Sequence, residues 1–233
     1  MDKNNTYFKK WFSILLLFTG FLITYGTARA QHSFNTSIDV YNQYVWRGFD
    51  FGHAPSLQPS FTYDNSNLEI GVWGAFATIG KPAYTETDAY VSYAVPIKTG
   101  SLSLGITDYF FPSSTPGKYF DYANAHVFEA NVGYTGPRNF PIGLSANINF
   151  AGGDKQNSMY LQASYPILTA ELTMGVIPFK SDYYGLTSPG VVLLGISNTQ
   201  QVKITDDFSL PVHGAVQVNP YTKNIFLLFG ITI

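Results

Sequence analysis

The chain has 233 residues, with 19 Phe and 17 Tyr but only 12% charged residues, where about 25% is usual. It holds no Cys, which excludes disulfides, thiolate metal sites, a cysteine nucleophile and a lipid-modified N-terminal cysteine. At 45% apolar residues disorder is excluded too, yet mean hydropathy is only +0.03. Many aromatics, few charges and no net hydrophobicity point to two residue populations that alternate along the chain.

The chain opens with a basic segment ending in Lys9 and Lys10, followed by an apolar run from Trp11 to Tyr25 and then Gly26-Thr-Ala28-Arg-Ala30 before Gln31. A basic start, an apolar middle and small residues at Ala28 and Ala30 predict a signal peptide over residues 1–30, cleaved between Ala30 and Gln31. The run falls short of the ~20 apolar residues of a membrane helix. The expected mature chain, residues 31–233, loses Lys3, Lys9, Lys10 and Arg29 against Asp2. It keeps 9 basic and 14 acidic residues, a net charge of −5. That balance disfavours a nucleic-acid partner, because nothing would neutralise phosphates.

After residue 31 the period is two. Phe34, Thr36, Ile38, Val40, Tyr44 and Trp46 share one face, opposed by Asn35, Ser37, Asp39, Gln43 and Arg47, which predicts a first strand over 34–46. Leu57 to Tyr63 repeat the pattern before the turn Asp64-Asn-Ser-Asn67. Further alternating stretches centre on 68–76, 87–95, 102–109, 128–134, 142–150, 159–165, 168–176, 208–218 and 224–233. The stretch 191–203 is ambiguous where it opens with Val191-Val-Leu-Leu194. The count is about twelve strands, each near the ~9–11 residues that cross a bilayer with tilt.

Connections alternate in length. They are brief at 64–67, 96–100, 135–141, 166–167 and 204–207, and mostly longer at 47–56, 78–85, 112–125, 151–157 and 177–190. Short turns on one rim and longer loops on the other predict an all-β transmembrane antiparallel up-and-down barrel of the bacterial outer membrane, occupying 31–233 after the signal peptide. A secreted sandwich or lipocalin-like barrel also alternates, but its polar face would carry more Lys and Glu. Here apolar faces end in aromatics such as Tyr63, Phe76, Tyr93, Phe110, Phe128, Phe150 and Tyr165, as interfacial girdles do. The expected surroundings are outer-membrane lipid.

The stretch Asp39-Val-Tyr-Asn-Gln-Tyr-Val-Trp-Arg-Gly48, with Pro55-Ser-Leu-Gln58 and Gly71-Val-Trp73, resembles the opening of the TorF-like family of porins, small outer-membrane β-barrels of Gram-negative bacteria. Asn219-Pro220 through Phe229-Gly-Ile-Thr-Ile233 is similar to the end of such chains. The resemblance implies an outer-membrane barrel with a porin role. It implies no catalytic, metal or cofactor residue.

Alternation turns Asp39, Arg47, Glu69, Glu86, Asp88, Glu129, Glu171 and His213 inward. Strand direction sets Arg47, Glu86 and Asp88 at the long-loop end, and Glu69 and Glu171 near the short turns. Two readings follow. In one, Arg47 faces Glu86 and Asp88 across an outer constriction above an acidic lumen, which would favour cations. In the other, Arg47 pairs with a carboxylate to fill and rigidify a narrow barrel. Tyr41, Trp73, Tyr90, Tyr109 and Tyr160 also point inward, so the lumen is expected to be narrow.

Small solutes or ions are the expected cargo of a porin-like channel. The alternative is a sealed structural or adhesive barrel that binds through loops 112–125 and 177–190. A lipid-modifying enzyme would need a Ser activated by His at the outer wall. His126 falls at such a place, but Phe128 stands two residues on and no Gly-x-Ser-x-Gly occurs. No enzyme activity and no cofactor is expected. His53 near Asp50 supplies two ligands, too few for a metal site. The oligomeric state is open.

Overall fold

The computed structural model describes residues 32–80, 83–112 and 120–233. The expected signal segment, with Ala28, Ala30 and the cleavage point at Gln31, lies outside them. Among the described residues every regular element is a strand. β1 (His32–Tyr41) is followed by a small hairpin, β2 (Tyr44–Trp46) and β3 (Phe49–Phe51). Then come β4 (Ser56–Asn65), β5 (Leu68–Ala77), β6 (Thr85–Ile97), β7 (Gly100–Phe110), β8 (His126–Thr135) and β9 (Gly143–Gly152). β10 (Met159–Ile167), β11 (Ala170–Ile177), β12 (Gly190–Lys203), β13 (Ser209–Asn219) and β14 (Asn224–Thr232) complete the chain.

Twelve of these strands, all but β2 and β3, form a closed antiparallel barrel in which each pairs with its neighbour in sequence. β1 pairs with β4 over ten rows, from His32↔Asn65 to Tyr41↔Ser56, and β14 returns to β1 at Asp39↔Thr232. Closure leaves no sheet edge between first and last strand there, the arrangement by which a sheet satisfies its own backbone.

Alternation sorts the side chains as the period requires. On β7, Leu102, Leu104 and Ile106 stand exposed on the outer surface, while Ser103 and Thr107 turn inward and Tyr109 is buried. Phe34, Phe61, Ile70, Val72, Val132, Leu194, Leu227 and Phe229 continue the outer apolar surface around the wall. Inward tyrosines lie flat across glycines of the adjoining strand: Tyr41 on Gly230, Tyr90 on Gly71 and Tyr160 on Gly175. A Cβ at Gly175 would sit 2.2 Å from the Tyr160 hydroxyl oxygen, so the glycine makes room for the ring.

Two sequence expectations change. The first strand was expected to run through Trp46, with Tyr44 and Trp46 on the outer face. It ends instead at Tyr41, and both aromatics lie inside the barrel. The cause is the clamp at Asn42, whose side chain donates to Leu227 O at 2.9 Å and accepts from Phe229 N at 2.8 Å. Beyond that clamp the chain leaves the wall. The ambiguity of Val191-Val-Leu-Leu194 also has a cause. The β11–β12 register shifts at Gly175/Val176, and the extra residue breaks the period, so consecutive Val192 and Leu193 are both buried.

Candidate functional site

The long connection between β1 and β4 carries the hairpin β2–β3, which folds into the lumen. Its turn is Arg47-Gly48, with φ of 53° and 82°, the paired positive values of a two-residue hairpin turn whose twist matches its strands. A side chain at Gly48 would strike the Val192 carbonyl oxygen at 2.0 Å. Asn219 Nδ2 donates to Gly48 O at 3.0 Å, pinning the turn to β13. Inside the hairpin, Gln43 Nε2 donates to Asp50 Oδ2 at 2.6 Å.

Arg47 is the centre of the plug. Its two terminal nitrogens donate to Glu129 of β8 at 2.6 and 2.9 Å, and Nη1 also donates to the Tyr184 hydroxyl at 2.6 Å. Tyr109 and Asn131 donate to the same carboxylate at 2.9 and 2.7 Å. The guanidinium lies 4.2 Å from the Trp46 ring centre and 4.3 Å from that of Tyr160. A bidentate, charge-assisted pair between two aromatic faces is strong in geometry. Burial pushes the Tyr184 phenol up to about 12 against the opposing Arg47 charge, so it remains neutral and accepts the arginine's hydrogen bond.

A second loop closes over the first. Tyr184 stacks on Trp46 at 6.0 Å and packs on Phe49 at 5.8 Å. Leu186, Ile177 and Val192 join Tyr184 and Tyr160 in the buried apolar cluster of the described residues. Ser181 and Ser158 share a 2.6 Å hydrogen bond, linking this loop to the β9–β10 connection.

Of the two sequence readings, Arg47 facing Glu86 and Asp88 or Arg47 pairing with a carboxylate to fill the barrel, the structure has the second kind of arrangement, with Glu129 as the partner. The reason is steric. Tyr44 packs on Trp73 and Tyr84, filling the space between hairpin and β6. Glu86 accepts instead from Tyr84 at 2.6 Å. Asp88 is buried, with Oδ1 lacking any partner among the described residues. Glu69 and Glu171 stand apart, toward the short turns, on the second residues of β5 and β11. Tyr184 was not singled out in the sequence. The aromatic run Tyr183-Tyr184 next to Gly185 was its one signal.

Toward the short turns two adjoining cavities open, of about 350 and 330 Å³, sharing Val45, Ser197, Ala215 and Gln217 in their walls. The second is bounded by a relay across four strands. Thr232 donates to Asp39 at 2.6 Å, and His213 bonds Thr232 at 2.7 Å through Nε2 and Thr199 at 2.9 Å through Nδ1.

On the outer surface His126 holds Asp108 at 2.9 and 3.0 Å and stacks on Phe110 at 4.5 Å. His53 bonds Asp50 at 2.6 Å. Among the described residues no group of three or more His, Asp or Glu is placed to hold a metal ion.

Fold and site together define a twelve-strand β-barrel whose lumen is filled at one end by its own first long loop. The sequence matches, over residues 26–177, the family described as "Bacterial protein of unknown function (Gcw_chp)", and the chain belongs to it. The match takes in the hairpin, Arg47 and Glu129. No curated protein matches the chain.

Proposed function

We propose that this chain is an exported outer-membrane barrel of Gram-negative bacteria, acting as a narrow channel for small solutes with a preference for cations. The observation that carries the reading is the plug. Arg47 is neutralised by Glu129 inside the plug, which leaves Asp39, Glu69 and Glu171, inward by parity, as the acidic side chains of the lumen below it. Acidic side chains along a lumen favour cations. The largely apolar outer surface supports a bilayer setting, because soluble proteins rarely leave such area bare. The resemblance to TorF-like porins agrees with both.

A sealed barrel is the second reading, and the doubly bonded, ring-sandwiched Arg47 is the observation in its favour. Planar-bilayer recording of the purified protein separates them. The expected result is small single-channel steps with cation permeability above anion permeability, enlarged when residues 43–53 are replaced by a short Gly/Ser linker. Silence from both the wild type and the linker variant establishes the sealed barrel.

A further inference from the structure

We infer that the paired cavity beneath the plug is a binding site for a neutral, polyhydroxylated solute, of the size of a mono- or disaccharide. The inference rests on the channel reading for the route by which the solute arrives. Each half lies within the ~300–1,000 Å³ of small-molecule sites, and the halves meet at Gln217.

The walls argue for the class of ligand. Charged residues lining the two cavities are Arg47 and Asp39, and each is already engaged, Arg47 by Glu129 and Tyr184 and Asp39 by Thr232. His213 is likewise held at both ring nitrogens. What faces the space is uncharged: hydroxyls of Thr173 and Ser197, and amides of Gln162 and Gln217. An anion entering here would shed water and meet only the Asp39 carboxylate and an arginine already neutralised by Glu129, a cost of several kcal/mol. A hydroxylated neutral molecule exchanges water for equivalent partners.

One atom asks for such a partner. Gln217 Oε1 is buried and has no hydrogen-bond partner among the described residues, and its side chain lines both halves. A buried acceptor left unpaired is costly, so turning the amide toward the cavity, where a ligand hydroxyl donates to it, recovers that cost. Tyr41 supplies an apolar face in the second half, its other side lying on Gly230. Sugars present C–H faces alongside hydroxyls, and this wall offers both surfaces.

Calorimetric titration of the detergent-solubilised full barrel tests this, with maltose as neutral probe and glucuronate as the charged one. Saturable maltose binding is expected, at least tenfold tighter than glucuronate. Gln217→Leu should weaken it about five- to tenfold. Heat-modifiable gel migration reports whether that variant forms the barrel; should it not, Thr173→Val is titrated in its place with the same expected loss. No saturable maltose binding, equal binding by wild type and variant, or tighter binding of a charged sugar overturns the inference. Bilayer silence leaves this titration intact, so a failure of the channel reading is distinguishable.

Discussion

The two halves of the lumen differ in kind. The long-loop half is packed, aromatic and charged, with Arg47, Glu129, Glu86 and Asp88 all buried. The short-turn half is open, and most of the polar groups lining its cavities are neutral hydroxyls and amides. The Arg47–Glu129 pair is held where its neighbours are close, and the open space is lined mainly by hydroxyls and amides. A buried ion pair is a poor source of net stability, so the lock in the upper half is better understood as fixing one position of the hairpin.

The largest expected effect comes from cutting the lock on one side. Arg47→Ala leaves the Glu129 carboxylate buried with Tyr109 and Asn131 alone, and Glu129→Ala strands the arginine. Each should lower barrel stability by about 3–5 kcal/mol, measured by urea unfolding in lipid vesicles. The double variant Arg47→Met/Glu129→Leu should be far milder than the sum. The two single variants should also part in selectivity: Arg47→Ala raises the cation-to-anion permeability ratio, and Glu129→Ala lowers it. Identical shifts in both would show that neither charge faces the conducting path.

Next comes the contact between hairpin and upper loop. Tyr184→Ala removes the ring that covers Trp46 and Phe49 and the hydroxyl that takes the Arg47 hydrogen bond. A loss of about 3 kcal/mol is expected, within the range for large-to-small core changes. Tyr184→Phe should cost about 1 kcal/mol. If the two variants were equal, the hydroxyl and not the ring would hold the loop.

The wall and the plug were unequally legible in the sequence. Eleven alternating stretches and the ambiguous 191–203 correspond to the twelve barrel strands, because a wall strand has two unlike surroundings and period two records that directly. The plug has no such record. Tyr44, Trp46, Phe49 and Phe51 keep the alternation of a wall strand while lying inside, so parity extended the first strand too far. The Arg47-Gly48 turn between two aromatic pairs was a hairpin signal. The partner of Arg47 was beyond reach, because the choice of Glu129 over Glu86 depends on how Tyr44 and Tyr84 fill the lumen. The β11–β12 bulge likewise erased the period just where Val192 and Leu193 enter the core.

A smaller effect separates wall from cavity. Gly175→Ala pushes a methyl into Tyr160, and overpacking of this kind costs about 1–3 kcal/mol. Ser197→Ala, on the open wall, should change stability by less than about 0.5 kcal/mol. A matching loss at Ser197 would mean that the lower half is packed after all.

The smallest expected effect is a local pH dependence at the rim. Burial raises the Asp154 pKa, but the backbone of Gln156, the side chain of Asn149, and Ser158 donate to its carboxylate, and the balance falls below the usual aspartate value. A depressed folded-state pKa means that ionised Asp154 steadies the loop above its unfolded value, ~3.9. That contribution is lost as the pH falls through the lower, folded value. The Ser158–Ser181 bond ties this loop to the cover over Arg47, so the rim should loosen before the wall does. Amide hydrogen exchange across 153–158 should therefore be protected at pH 7 and lose protection below about pH 3.9, after correction for intrinsic rates. Asp154→Asn should remove the difference. An equal loss of protection in β7 and β8 would place the acid sensitivity in the barrel wall, and the two halves of the lumen would then share one fate.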